Sequence, residues 1–257
     1  MSCDEIIALT LGHEFTPRRL SLEGGGDERL RLPIIALLVR GDGGWALLDT
    51  GISPAFRDDA LAEAIYRGRG PEIPGDGHPL LAVLDGAGLS VGDLAVAAVS
   101  HLHVDHTGGL ALLAGGPPVV VQRRELAFAR TPAAAHAAYV PGDYADPAIT
   151  WRELDGDGGV APGIDALSTP GHSPGHMSYR VRMDDGTTWL FAMDAIDLQE
   201  GIDTDTTIGW SAVAGDAPLR RASHDRLVAL AAAEGARLIA GHCPVTWPPA
   251  GLRSVAV

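Results

Sequence analysis

The run His101-Leu102-His103-Val104-Asp105-His106, placed directly after the apolar segment Ala95 to Val99, restricts the fold of this chain more than any other feature. It puts four groups able to bind a metal ion at the end of what reads as a short buried strand. Side chains alternate along extended backbone, so His101 and His103 project to one side and both imidazoles can reach one ion. As the loop turns, Asp105 and His106 can face a second ion beside the first. Gly108 and Gly109 are then expected to permit a sharp bend into the next segment. The chain holds ten histidines in 257 residues, so three of them in one short run is a poor match to a chance surface loop.

A site for two ions needs more ligands than one loop supplies, and further His or carboxylate residues are expected at other strand ends. Three stand out. His172 lies in Thr169-Pro170-Gly171-His172-Ser173-Pro174-Gly175-His176, after a strand and inside a turn held open by Pro and Gly. Asp194 follows the apolar run Trp189 to Met193, where a buried carboxylate without a cation would be costly. His242 follows Leu238-Ile239-Ala240-Gly241 in the same kind of position. Each alone is weak, because a strand-end His or Asp is more often a solvated or capping residue.

Two apolar runs, Pro33 to Val39 and Trp45 to Leu48, read as a hairpin ending in the turn Asp49-Thr50-Gly51. Helical patterns are expected over 55–67, 79–87, 123–129 and 218–234, and strands over 95–99, 118–121, 149–153, 164–167, 177–182, 188–192 and 237–240. Residues 131–147, with Pro132, Pro141 and Pro147, read as an irregular insertion near the mouth of the site. Strands thus fall into two groups, each followed by helices, which favours two sheets packed face to face with helices outside.

At 46% hydrophobic content, residues 1–257 suit one α/β domain. The start, MSCDEIIALTLGHEF, lacks the basic and apolar regions of a signal peptide, and no run of ~18 apolar residues could span a bilayer. A cytoplasmic protein without membrane partners is the expectation. With 33 acidic against 19 basic residues, the formal charge of -14 argues against nucleic acid as a partner. Cys3 and Cys243 are too isolated to suggest a disulfide framework or a cysteine metal site, and Cys243 reads as a small buried neighbour of His242.

Taken together and in order, the HLHVDH stretch, the TPGHSPGH stretch, Asp194 after its strand and the late Gly241-His242 resemble the ligand motifs of the metallo-β-lactamase superfamily, over about Leu32 to His242. The resemblance implies the αβ/βα sandwich, with two mixed sheets face to face and the site at their edge. It makes His101, His103 and His172 ligands of one divalent ion, Asp105, His106 and His242 ligands of the other, and Asp194 a bridge between them. His176 then becomes a packing residue behind the site, and Asp49 resembles the carboxylate that orients ligands in the family. Zinc is the favoured metal, although iron, manganese or cobalt suits the same donors. Catalysis would use a metal-bound hydroxide, with Asp105 orienting it or relaying its proton.

Within the superfamily, this chain is most similar to N-acyl homoserine lactonases, through His101 to Gly109, Asp143-Tyr144-Ala145-Asp146-Pro147 leading to Trp151, and Leu154-Asp155-Gly156-Asp157. That implies opening of a quorum-sensing lactone. Another lactone, ester or thioester is the alternative substrate, and a non-catalytic metal-binding paralogue the alternative class. One departure is plain: where known lactonases carry a tyrosine three residues after the bridging aspartate, this chain has Asp197, with Tyr144 and Trp210 as candidate replacement donors. A small-molecule substrate is the expected partner, and a symmetric homodimer the default assembly.

Overall fold

The computed structural model describes residues 1–257. Its architecture follows from two long strands, β1 (Cys3–Pro17) and β2 (Arg29–Gly41), whose alternate residues are apolar on both faces. Ile34, Ala36 and Leu38 of β2 enter one buried cluster together with Ile7 and Leu9 of β1. Ile35, Leu37 and Val39 enter another with Ile6 and Ala8. A strand that is buried on both sides needs a layer on each side, and this explains its near-continuous apolar run.

These strands lie toward one side of a seven-stranded sheet that continues through β3 (Gly44–Leu48), β4 (Leu94–Ala98), β5 (Val119–Gln122) and β6 (Trp151–Leu154). A five-stranded sheet contains β7 (Gly158–Ala161), β8 (Ile164–Ser168), β9 (Met177–Arg182), β10 (Thr188–Phe191) and β11 (Arg237–Ile239). The last strand, β12 (Arg253–Ala256), returns to the first sheet and pairs parallel to β1. Both sheets are mixed: β3, β4, β5 and β6 run parallel, while β1–β2–β3 and β7–β8–β9–β10 are antiparallel. Tyr179, Phe191 and Val181 of the second sheet meet Leu37, Val39 and Val120 of the first, so the sheets pack face to face.

Helices cover the outer faces. The chain-ordered set is α1 (Arg18–Ser21), α2 (Asp59–Tyr66), α3 (Pro79–Ala87), α4 (Val104–Thr107), α5 (Arg123–Ala129), α6 (Pro141–Tyr144), α7 (Gln199–Asp203) and α8 (Ala217–Glu234). Leu80, Val83 and Leu84 of α3 and Leu126 of α5 pack on the first sheet. Leu227 of α8 packs on Leu167, Leu190 and Ala192 of the second, and its complete burial contributes roughly 2 kcal/mol. The expected αβ/βα sandwich is therefore the fold. No helix is long and apolar enough to cross a membrane.

Three strands escape the expectation, as do the short helices α1, α4, α6 and α7. β1 spans 15 residues, and its near-continuous apolar run IIALTL does not show the period-two alternation of a half-buried strand because it is packed on both faces. β7 is Gly-rich and carries almost no strand signal, and β12 is short. The supposed two-group division also breaks down at the end of the chain, since β12 crosses back to the sheet of the first half. Residues 131–147 are irregular as expected, with a 3-10 turn at Pro132–His136 and α6 as their only regular pieces.

Candidate metal centre

Five strand ends, two from the first sheet and three from the second, build the site. β3, β4, β8, β10 and β11 deliver Asp49, His101, His172, Asp194 and His242 just beyond their carboxyl ends. Cross-links between loops then fix them. Asp49 N–H donates to Ala98 O at 2.8 Å, Thr50 N–H to His106 O at 2.9 Å, and Met177 N–H to Ser100 O at 2.9 Å, the last joining the two sheets at the site. Gly241 must lack a side chain, because a Cβ there would lie 2.6 Å from Met193 O. Met193 itself has φ 47°, a strained conformation for a non-glycine residue immediately before Asp194.

Gly108 and Gly109 have a different reason from the expected one. Both have ordinary right-handed backbone angles. A Cβ on Gly108 would fall 2.0 Å from Ile52 C, and one on Gly109 would fall 2.4 Å from Leu80 Cδ2. Close packing against the Asp49–Ile52 segment, not bending, demands glycine there.

The seven expected ligands converge. They form two groups whose donor atoms lie within 4.8 Å of one another, His101–His103–His172 and Asp105–His106–Asp194–His242. Asp194 faces both. Its Oδ2 lies 3.4 Å from His172 Nε2 and 3.8 Å from His101 Nε2, while Oδ1 lies 3.1 Å from His242 Nε2 and 3.2 Å from His106 Nε2. Asp105 Oδ2 stands 3.2 Å from His106 Nε2 and 3.7 Å from His242 Nε2. All seven side chains are buried.

These residues fit a metal on chemical grounds. The Nε2 atoms of His101 and His106 are buried with no hydrogen-bond partner, a costly state unless a cation takes their lone pairs. Their other nitrogens are engaged: His106 Nδ1 is 2.7 Å from Asp49 Oδ2, His242 Nδ1 is 2.8 Å from Pro33 O, and His101 Nδ1 is 3.0 Å from Ser100 Oγ. For His106 and His242 this places the proton on Nδ1 and leaves Nε2 as donor to an ion. Burial pushes the His101, His103 and His172 rings down, His103 to about 4 and His172 to about 3, so they are neutral as metal ligands must be. Burial acts on His106 and His242 in the same sense, but the neighbouring carboxylates outweigh it and raise both well above the usual range.

Two buried carboxylates hold the loops from behind. Asp49, at φ 63°, accepts from Ser100 N–H at 2.5 Å, Ser100 Oγ at 2.8 Å and Tyr179 OH at 3.2 Å besides meeting His106. Glu125, which sequence reasoning missed, accepts from Leu102 N–H at 3.0 Å, Tyr139 OH at 2.5 Å, Ser173 Oγ at 2.8 Å and Gly175 N–H at 2.8 Å. It therefore ties the HLHVDH loop to the TPGHSPGH loop. Its only signal is a carboxylate on an otherwise ordinary helix beginning Arg-Arg-Glu. His176, expected behind the site, uses both nitrogens: Nε2 accepts from Asp194 N–H at 3.1 Å and Nδ1 meets Thr169 Oγ1 at 2.9 Å.

The walls of the two groups differ. Tyr139 and Trp210 rings lie 4.8 and 5.3 Å from His103, and Trp210 lies 5.4 Å from His172. On the other side stand Glu14, Tyr66 and Asp197. Burial and the Asp105 charge push Glu14 up to about 8, and burial and the Asp194 charge push Asp197 up to about 8. Tyr144, proposed above as a donor, has a buried hydroxyl with no partner and packs in the helix-side core of the first sheet. Its neighbour Asp143 accepts from Thr107 Oγ1 at 3.0 Å, and Asp157 accepts from Ser168 N–H at 2.9 Å while pairing with Arg226. Those lactonase-like features thus brace the loops around the ligands. Cys243 is buried beside His242, as expected.

Comparison with known proteins adds the family. A model of the metallo-β-lactamase superfamily matches residues 31–242. The chain belongs to that superfamily. Like the relatives it matches, it is a metal-dependent hydrolase. It is 30% identical over 177 residues to the N-acyl homoserine lactonase AiiA of Bacillus thuringiensis subsp. kurstaki, covering 68% of each chain. Its fold superposes on a B. thuringiensis AiiA variant with N-decanoyl-L-homoserine bound at the active site, with TM-score 0.84, 24% identity and 95% of each chain covered. A second solved structure, AidC, described as a dizinc quorum-quenching lactonase, matches with TM-score 0.69 and 19% identity, covering 96% of this chain and 90% of that one.

Proposed function

We propose that residues 1–257 act as one domain that hydrolyses a lactone, of N-acyl homoserine lactone type, at a centre of two divalent ions, with zinc favoured. The observation that carries this reading is Asp194, whose two oxygens face separate ligand groups. His101, His103 and His172 would hold one ion, Asp105, His106 and His242 the other, and Asp194 both. Bound ions of this kind make a water nucleophilic near neutral pH and polarise a carbonyl. With the ions bound, Asp105, whose Oδ2 lies 3.2 Å from His106 Nε2 and 3.7 Å from His242 Nε2, would orient that water and take its proton. Asp194 keeps the two halves in register. One water is consumed: the ring C–O bond breaks, the carbonyl carbon becomes a carboxylic acid, and the ring oxygen leaves as a hydroxyl.

The lactonase relatives and the dizinc neighbour support the substrate class and the metal. The test is mass spectrometry of short-, medium- and long-chain acyl homoserine lactones incubated with metal-loaded and chelator-stripped protein. Metal-dependent addition of one water to any of them is the expected result. No turnover across the panel, with two metal ions bound per chain, would move the search to other esters and thioesters.

A further inference from the structure

A cavity of about 700 Å³ lies apart from the metal centre, and none of the seven proposed ligands lines it. Its size is that of a small-molecule pocket, roughly 300–1,000 Å³. Leu126 and Ala129 of α5, Ile149, and Trp151 on β6 give it an apolar lining, and β6 is the strand at the edge of the first sheet. Parts of the segment from Arg130 to Pro147 form the rest of the wall, with φ fixed at Pro141 and Pro147. The same segment carries Tyr139, whose ring lies 4.8 Å from His103 and whose hydroxyl donates to Glu125 of α5, so the cavity and the centre share two elements.

The polar groups around this lining are unequally satisfied. Thr131 Oγ1 donates to Phe128 O at 2.7 Å, and Asp146 Oδ1 accepts from Ala148 N–H at 2.8 Å. Two donors are left over. Tyr144 is 9% exposed, and its hydroxyl is buried without a hydrogen-bond partner. Arg130 is exposed and forms no ion pair, whereas Arg123 at the start of the same helix takes Glu153 and Asp155. Buried polar atoms are nearly always paired, and an ionised carboxylate is the side-chain-sized group that only accepts. The formal charge of -14 repels anions from the molecule as a whole, so an anionic ligand needs a local cation such as Arg130.

We propose that this cavity binds an amphipathic carboxylate, with its hydrocarbon body on Leu126, Ala129, Ile149 and Trp151. Arg130 supplies the charge that holds the carboxylate, and Tyr144 supplies a hydroxyl donor. A charge-assisted hydrogen bond is stronger than a neutral one, so the cavity separates a carboxylate from a neutral molecule of the same shape. This site goes beyond the hydrolysis and does not depend on the lactone reading.

The test is calorimetric titration of the metal-loaded protein with octanoate and with octanamide, its neutral counterpart, in excess acetate to occupy the ions without filling an apolar cavity. We expect one octanoate per chain with Kd of about 1 mM or tighter, and octanamide at least fivefold weaker. Ala145→Phe, which puts a ring into the cavity from an exposed position in its wall, should abolish octanoate binding. Arg130→Gln should weaken octanoate to the level of octanamide and leave octanamide within about twofold, and Tyr144→Phe should weaken octanoate about threefold. Arg130 is exposed, so its substitution spares the fold and decides the charge by itself. Octanoate binding that survives Ala145→Phe, equal affinity for octanoate and octanamide in the wild type, or no binding of octanoate would overturn the site. The measurement involves no hydrolysis, so a chain that opens no lactone still passes or fails it.

Discussion

The two halves of the centre are built from different materials. His101, His103 and His172 form a neutral trio against the aromatic rings of Tyr139 and Trp210. Asp105, His106 and His242 mix charge with imidazole, and stand beside Glu14 and Asp197. Each half also has its own support: Glu125 braces the loops of the trio through four donors, whereas Asp49 holds His106 directly. The contrast teaches that one fold edge can present two groups of potential ligands of unequal charge and unequal surroundings, with the single carboxylate of Asp194 facing both.

The largest effect should come from the residue shared by both halves. Asp194→Asn removes one anionic oxygen and its charge from a position facing four imidazoles, and should lower kcat/KM by roughly a thousandfold, several kcal/mol of metal-assisted stabilisation. Metal content by plasma emission should fall in both halves; loss from one half alone would show that Asp194 does not join them. Next in size are the two supports. Asp49→Asn should weaken ion binding in the carboxylate half, and Glu125→Gln in the histidine half, each by roughly 10–100-fold, as measured by metal titration. Equal losses in both halves from either variant would erase the distinction.

Proton release is a smaller but sharper discriminator. In the metal-free protein the His101, His103 and His172 rings are held below their usual range, so they carry no proton at neutral pH and an ion binding there displaces none. His106 and His242 are held above theirs, so an ion binding in that half must expel their protons. Affinity in the carboxylate half should therefore strengthen as pH rises from about 6 to 8, and affinity in the trio stay flat. Calorimetry in buffers of different ionisation enthalpy counts the protons, and matching counts from the two binding steps would contradict the assignment. The smallest effect is expected from Tyr144→Phe. Its hydroxyl has no partner to lose, so stability should change by less than about 0.5 kcal/mol and turnover by less than about twofold; a large loss would return Tyr144 to the site as a donor.

Much of this was legible in the chain. HLHVDH after a buried apolar strand, and His172, Asp194 and His242 each just past an apolar strand, repeat one pattern of a polar side chain carried to a strand end. Period-two and apolar-run signals also located β2, β3, β4, β9 and β10, because their side chains face packed layers and the residue types record it. β7 and β12 left no such record, being short and partly exposed at sheet edges.

What the sequence alone determined, then, is which His and Asp side chains gather at one edge and the class of fold, since both depend on local residue types with few physical alternatives. Tertiary structure decided the rest. Only the approach of Ile52 to Gly108 and of Met193 O to Gly241 explains those glycines, and only the meeting of two loops on Glu125 gives that residue its role. Glu14 and Asp197 are 183 positions apart in sequence, which no local pattern can relate, and they reach the same half of the centre because β1 runs beside the strand that carries Pro33. Hydrogen bonding and burial act through space, so a residue whose function depends on them becomes readable only once the chain has folded.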